Sequence, residues 1–207
     1  WYRRAFGLDV PVFDDRSEAA LMINYTGGKV QSRHAVMALN MAGGGGLEIW
    51  QFTSRKPTPQ PAAPEPGDLG ISAVRFKTPD VTRAHEWMQQ QTDATISPVW
   101  QLPEGRGFWG QDPFGNTFQL TEDSSWFDLK QQPTGGVAGV VIGVSDMDRA
   151  MHFYQKLLTP CELVYDQTGT FADLPAQDTT QRYRRVLLRK QVSPHGAFST
   201  SLGNCQV

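Results

Sequence analysis

Two stretches of the chain share one order of apolar and polar positions, and that order predicts a repeated unit. One runs Ser72-Ala-Val-Arg-Phe-Lys-Thr-Pro-Asp80-Val-Thr-Arg-Ala84-His-Glu-Trp87 and the other Ala138-Gly-Val-Val-Ile-Gly-Val-Ser-Asp146-Met-Asp-Arg-Ala150-Met-His-Phe153. Each is an apolar run of strand type, an aspartate at a helix start, an Arg-Ala pair and then an aromatic. Val140, Val141, Ile142 and Val144 are β-branched or equally suited to a half-buried strand. Ser145 with Asp148 reads as a capping-box-like start, and Pro79 as a residue of a first helical turn, where its missing N–H is harmless. Met147, Ala150, Met151 and Tyr154 recur at helical spacing and form one apolar stripe.

Trp1-Tyr2-Arg-Arg-Ala-Phe matches the tail of the same helix, Phe153-Tyr154-Gln-Lys-Leu-Leu, and in both places a short strand follows. Further strands are expected over Arg33 to Met41 and Leu47 to Phe52, Gly107 to Gln111 and Asn116 to Thr121, and Arg184 to Lys190. The order is therefore strand, helix and three strands, three times. Residues 1–56 form module 1, 69–123 module 2 and 137–207 module 3, with connectors at 57–68 and 124–136. Pro57 to Gly67, with five prolines in eleven residues, reads as a stiff polar linker. The opening Trp1-Tyr2-Arg3-Arg4 reads as mid-helix, so module 1 is expected to lack its first strand here. Module 3 is expected to stop inside its last.

Composition narrows the classes. The chain has 207 residues, 39% hydrophobic and 11% aromatic, enough for a sizeable core. A charged fraction of 19% and a net charge of −2 show no basic patch for nucleic acid or an anionic membrane. No apolar run is long enough to cross a bilayer as a helix. Cys161 and Cys205 match no metal or redox spacing and read as thiols of a reducing compartment, with one disulfide as the alternative. A cytoplasmic location is the expectation.

The sharpest local signal is Gln111-Asp112-Pro113-Phe114-Gly115-Asn116-Thr117-Phe118-Gln119-Leu120. Asp112 can accept from backbone N–H groups, Pro113 presets φ and Gly115 supplies positive φ, so the segment joins two antiparallel strands. With the repeat, this hairpin resembles that of the glyoxalase / bleomycin-resistance / extradiol-dioxygenase (vicinal oxygen chelate) superfamily. The resemblance covers nearly the whole chain and implies an α+β fold. It consists of tandem βαβββ modules whose paired curved sheets form an open barrel or funnel with helices outside. It further implies that module 1 pairs with module 2, and module 3 with a fourth outside this sequence.

In metal-dependent members of that family a module offers a histidine from its first strand and a glutamate from its last. Imidazole and carboxylate suit zinc, nickel, manganese or iron(II) and leave positions open for two vicinal substrate oxygens. Glu48, between Leu47 and Ile49, is the glutamate of module 1 and the candidate catalytic and metal-binding residue. By strand alternation it faces either solvent or the funnel interior. Module 2 has Gln119 at that position, and its histidine position is Ala73; that of module 3 is Gly139. The glutamate position of module 3 is Gln206 or a residue just beyond the sequence. A full four-ligand site is therefore not expected.

His34 sits in a strand and faces either funnel or solvent. His85 and His152 lie on helices that pack outside the sheet, and His195 lies in a loop. Gln119, Trp50, Trp109, His34 and Arg106 are the candidate substrate-binding residues, with Trp1 and Trp100 as further aromatics, each weighed against a plain packing role. Arg106 either meets an anionic substrate or is a solvated loop residue. Gly43 to Gly46 lacks the Lys-Ser/Thr and helix of a phosphate loop and reads as a flexible hairpin tip. The resemblance thus implies a small organic ligand, with a homodimer as an open possibility for assembly. Metal-dependent lyase, isomerase or dioxygenase turnover stands against metal-free, bleomycin-resistance-like binding. An extradiol dioxygenase fits less well, because Gly139 stands where such enzymes draw an iron ligand.

Overall fold

The computed structural model describes residues 1–58, 64–128, 132–158, 160–191 and 204–206. Module 1 comprises helix α1 (Tyr2–Phe6) and strands β1 (Val10–Glu18), β2 (Ser32–Leu39) and β3 (Gly46–Phe52). Module 2 comprises β4 (Gly70–Thr78), α2 (Val81–Gln91), β5 (Thr95–Ile96), β6 (Trp100–Leu102), β7 (Gly105–Gln111) and β8 (Thr117–Glu122). Module 3 comprises β9 (Val137–Gly143), α3 (Met147–Leu157), β10 (Cys161–Gly169), β11 (Tyr183–Lys190) and β12 (Asn204–Gln206). The fold is α+β, its sheets curved and open rather than closed into a barrel.

Strands β1, β2 and β3 form an antiparallel sheet of their own, while modules 2 and 3 share one nine-stranded sheet. In each of these two modules the first strand lies parallel to the last, β4 beside β8 and β9 beside β12. The modules join where β4 meets β9 antiparallel, with Val74 opposite Val140. Counting back six residues from Asp80 and from Asp146 lands on those two valines, so the join lies on a local two-fold axis. The expected pairing of module 1 with module 2 is thus not the one formed. Module 2 pairs through its first-strand edge with β9, the corresponding strand of module 3.

Each long helix starts on an aspartate. Asp80 Oδ1 accepts from Thr82 N at 2.9 Å and Arg83 N at 3.1 Å, and Asp146 Oδ1 accepts from Arg149 N at 3.0 Å. The caps are thus Asp80 and Asp146, not Ser145, and Pro79 precedes the helix instead of opening its first turn. A short carboxylate side chain one residue closer to the free N–H groups makes the better acceptor. Val81, Ala84 and Met88 of α2 are fully buried against Phe76, Phe108, Phe118 and Leu120 of the sheet. Helix α3 covers Ile142, Val186 and Leu188 in the same way. Both helices lie on the outer face, leaving the other face of the shared sheet for the funnel.

Module 1 is attached through α1. Phe6 stacks on Phe76 with ring centroids 3.7 Å apart, and Ala5, Phe6 and Leu8 belong to the core beneath α2. Gly7, at φ 60°, ends α1 in the left-handed region. The segment Gly43 to Gly46 is not a free tip. Ala42, Gly43 and Gly44 are buried, Val137 N donates to Gly44 O, and a Cβ on Gly43 would lie 2.8 Å from the Gly135 carbonyl oxygen. Close approach of two backbones, rather than flexibility, is what needs glycine there.

The Asp112 turn ties the two parts together. Its carboxylate accepts from Phe114 N at 2.9 Å, Asn116 N at 2.8 Å, Asn116 Nδ2 at 2.8 Å and the Tyr2 hydroxyl at 2.5 Å. Gly115, at φ 90°, completes the turn. Burial and the adjacent Asp112 carboxylate push the Tyr2 phenol well above its ordinary pKa. Asp112→Ala strands four donors at once and should destabilise the fold by about 3 kcal/mol, read as a lower denaturant midpoint.

Candidate functional site

Strand alternation decides which side chains enter the funnel. On β4, Val74 and Phe76 pack outward against the helix layer, so Ala73, Arg75 and Lys77 project to the inner face. Their neighbours on β8 and β7, Gln119 and Trp109, share it, since Arg75 pairs with Gln119 and Gln119 with Trp109. Across the join, Ala73 is opposite Val141 and Arg75 opposite Gly139.

Between modules 2 and 3 lies a cavity of about 700 Å³. Its walls are mostly apolar, with Trp109, Ile96, Val141 and Leu174 prominent, and Tyr183 and Arg185 add polar edges. Pro64 to Gly67, the described end of the proline-rich linker, runs along the rim, and Glu65 Oε2 accepts from Gln177 N at 3.1 Å. The linker therefore bridges to module 3 across the funnel.

A buried charged cluster adjoins this cavity. Arg185 Nη1 donates to both carboxylate oxygens of Asp173, at 2.8 and 3.0 Å, and its guanidinium lies 4.8 Å over the Phe171 ring. Asp173 also accepts from Trp109 Nε1 at 3.4 Å, which sets the edge of that indole. Nearby, Arg75 donates from Nε to Gln119 Oε1 at 2.8 Å and from Nη2 to Glu104 Oε1 at 2.6 Å. Tyr165 senses all four charges; its burial, with Glu104 next in weight, pushes its phenol up to about 12. Lys77, farther along β4, donates to Ser125 O and lies 5.6 Å from the Trp126 ring, and burial lowers its pKa.

The residues singled out from the sequence fall in different places. Trp109 lines the funnel, and Gln119 lies on its inner face, fully buried. Glu48 and Trp50 belong to the separate sheet of module 1, where Glu48 is exposed and Trp50 meets Phe52 edge to face at 4.5 Å. His34 is one residue out of step with that face and pairs with Asp14 at 2.6 Å. Arg106 turns outward, donating to Thr82 Oγ1 at 3.2 Å, 3.6 Å from Glu122. His85 Nε2 lies 2.9 Å from the Ser97 carbonyl oxygen, His152 is exposed on α3, and His195 is outside the described residues.

Arg75, Glu104, Tyr165, Asp173 and Arg185 were not singled out. The signal available was the alternation Ala73, Arg75, Lys77 against Val74, Phe76, but a charged strand face ordinarily reads as solvated.

The strand register tests whether the family's metal fits. Arg75 and Val141 occupy equivalent positions, and their parallel partners are Gln119 and Gln206. The register therefore gives Gln206 as the counterpart of Gln119. The positions that the resemblance marks for metal ligands are occupied in modules 2 and 3 by Ala73, Gln119, Gly139 and Gln206, two amides and no imidazole or carboxylate. No cluster of three or more His, Cys, Asp or Glu suited to a metal occurs among the described residues. These residues do not fit the divalent metal that the resemblance implies.

The chain has counterparts among known proteins in fold but not in sequence. No protein-family model and no curated protein matches it. Solved structures do. A glyoxalase I variant from Zea mays matches with a TM-score of 0.52 at 14% identity, over 99% of this chain and 61% of that one. Glyoxalase I from Zea mays itself matches with a TM-score of 0.50 at 14% identity, over 100% of this chain and 60% of that one. A putative dioxygenase from Bacillus subtilis subsp. subtilis str. 168 matches with a TM-score of 0.52 at 13% identity, over 99% of this chain and 56% of that one. The fold is thus of glyoxalase type, and the vicinal-oxygen-chelate resemblance read from the Asp112 hairpin holds at that level. The chain spans about three-fifths of the length of these structures. No helix among the described residues is long and apolar enough to cross a membrane.

Because Tyr165 stays protonated in the fold to about pH 12 but ionises near 10 when unfolded, the folded state binds the extra proton between those values. Its stabilising effect is complete below pH 10 and is lost as pH rises toward 12. Tyr165→Phe should therefore remove part of the alkaline fall in stability, about 2–3 kcal/mol across that window, in denaturation curves taken at each pH.

Proposed function

We propose that the funnel between modules 2 and 3 binds a small, largely apolar organic molecule without a divalent metal. The carrying observation is the cavity itself, large enough for a small-molecule ligand and walled by Trp109, Ile96, Val141 and Leu174. Amides and small residues at its ligand positions support binding over metal-assisted turnover. Trp109 gives a flat apolar surface whose orientation Asp173 holds, which suits a planar ligand. A cytoplasmic location is part of the same proposal.

A second reading attaches to module 1. Glu48 is exposed, on the sheet face that also carries Trp50 and Phe52. There a carboxylate remains free to ligate, so metal-dependent lyase, isomerase or dioxygenase chemistry is proposed only for a site that includes Glu48. The homodimer belongs to this reading, a second copy being one way to cover the face. Sedimentation would show it as a mass twice that of the chain.

The two readings separate in one titration. Planar aromatic compounds should quench tryptophan fluorescence equally with and without a chelator, and Trp109→Phe should remove most of the response. Quenching that needs added metal and disappears in Glu48→Gln would favour the second reading. No response across a broad panel would rule out the first.

A further inference from the structure

The Arg75 cluster is unlike an ordinary buried ion pair. The Arg75 and Glu104 side chains are 2% and 4% exposed, so neither charge is shared with bulk solvent. Their pairing is also incomplete, since Arg75 Nη1, Glu104 Oε2 and Gln119 Nε2 are buried without a hydrogen-bond partner among the described residues. A half-satisfied buried network is expensive, and apolar residues of similar volume would fill the space at no loss of stability. Stability alone therefore does not explain why a guanidinium sits here.

Its position does. Arg75 projects from β4 two residues from Ala73, on the same inner face, and its cross-strand neighbours are Gln119 and Gly139. Gly139 adds no side chain to the space. The Arg75 Nε donates to Gln119 Oε1, the oxygen that a glutamate in that position would offer to a cation. Glu104, the nearest carboxylate described, is already engaged by Arg75 Nη2. The guanidinium thus already engages both the amide oxygen and the carboxylate, although one atom of each residue is left without a partner.

We propose that Arg75 is the resident cation of this funnel. Its guanidinium, fastened to Gln119 and Glu104, takes the place and the charge that a divalent ion takes in metal-binding relatives of the fold, so metal is excluded rather than merely unliganded. The inference rests on the metal-free reading of the funnel only for its meaning; the occupancy of the site by Arg75 is tested apart from any ligand.

Two measurements test it. In protein labelled with nitrogen-15 arginine, the Arg75 Nε–H should exchange slowly with water, should be unmoved by added Zn²⁺, and should lose protection in Gln119→Met. A rapidly exchanging Arg75 Nε–H, or one displaced by Zn²⁺ in the wild type, would overturn the proposal. Calorimetry supplies the second measurement, with the wild-type signal subtracted. Ala73→His with Gln119→Glu should gain no Zn²⁺ site while Arg75 remains. Adding Arg75→Met, which also frees Glu104, should create one. If the double variant binds Zn²⁺ as well as the triple, or the folded triple binds none, Arg75 does not hold the site. If the triple fails to fold, the exchange measurement decides. Absence of any fluorescence response to organic ligands would leave both results standing and would count only against the ligand-binding reading.

Discussion

The antiparallel contact between β4 and β9 is the constraint from which the remaining geometry follows. It brings two first strands edge to edge with Val74 opposite Val140, and it puts equivalent residues of modules 2 and 3 at equal distances from one axis. Once that register is set, alternation leaves no freedom: Val74 and Phe76 must go to the helix side, and Ala73 and Arg75 to the funnel. A slip of one residue would turn Arg75 into the core beneath α2 and expose Phe76, which buries an unpaired charge and loses an aromatic stack. The Phe6–Phe76 contact adds to the same choice from the side of module 1.

The charged cluster is a consequence of that arrangement. Four ionised groups, Arg75, Glu104, Arg185 and Asp173, sit together with two positive and two negative charges, so the cluster is neutral as a set. Neutrality is what permits this much burial, since any one of these charges alone would be strongly destabilising. It also separates this funnel from one built around a divalent ion, which brings two positive charges and needs open donor atoms.

Much of the scaffold was legible because local signals agreed with each other. The Asp80 and Asp146 starts, the β-branched run of β9 and the Asp112 turn each specify a structure within a few residues. The pairing of modules was not legible, because it depends on which edge strands meet across long sequence separations. The site was legible only in part. Gln119 stands at the glutamate position of the Asp112 hairpin and Trp109 among the candidate pocket aromatics, whereas Arg75 and Lys77 look like a solvated strand face, because alternation alone does not say which side of a sheet is enclosed. Glu104 lies in a two-residue turn, and no pattern marks a turn residue as buried. Ser145 misled for a related reason: it is a good capping residue, but the backbone places Asp146 at the cap.

The shared sheet is most directly tested by cross-strand nuclear Overhauser contacts between β4 and β9. Backbone contacts are expected in the register that sets Val74 opposite Val140 and Ala73 opposite Val141. Their absence, with β4 instead in contact with strands of module 1, would contradict that pairing and dismantle the funnel together with its charged cluster.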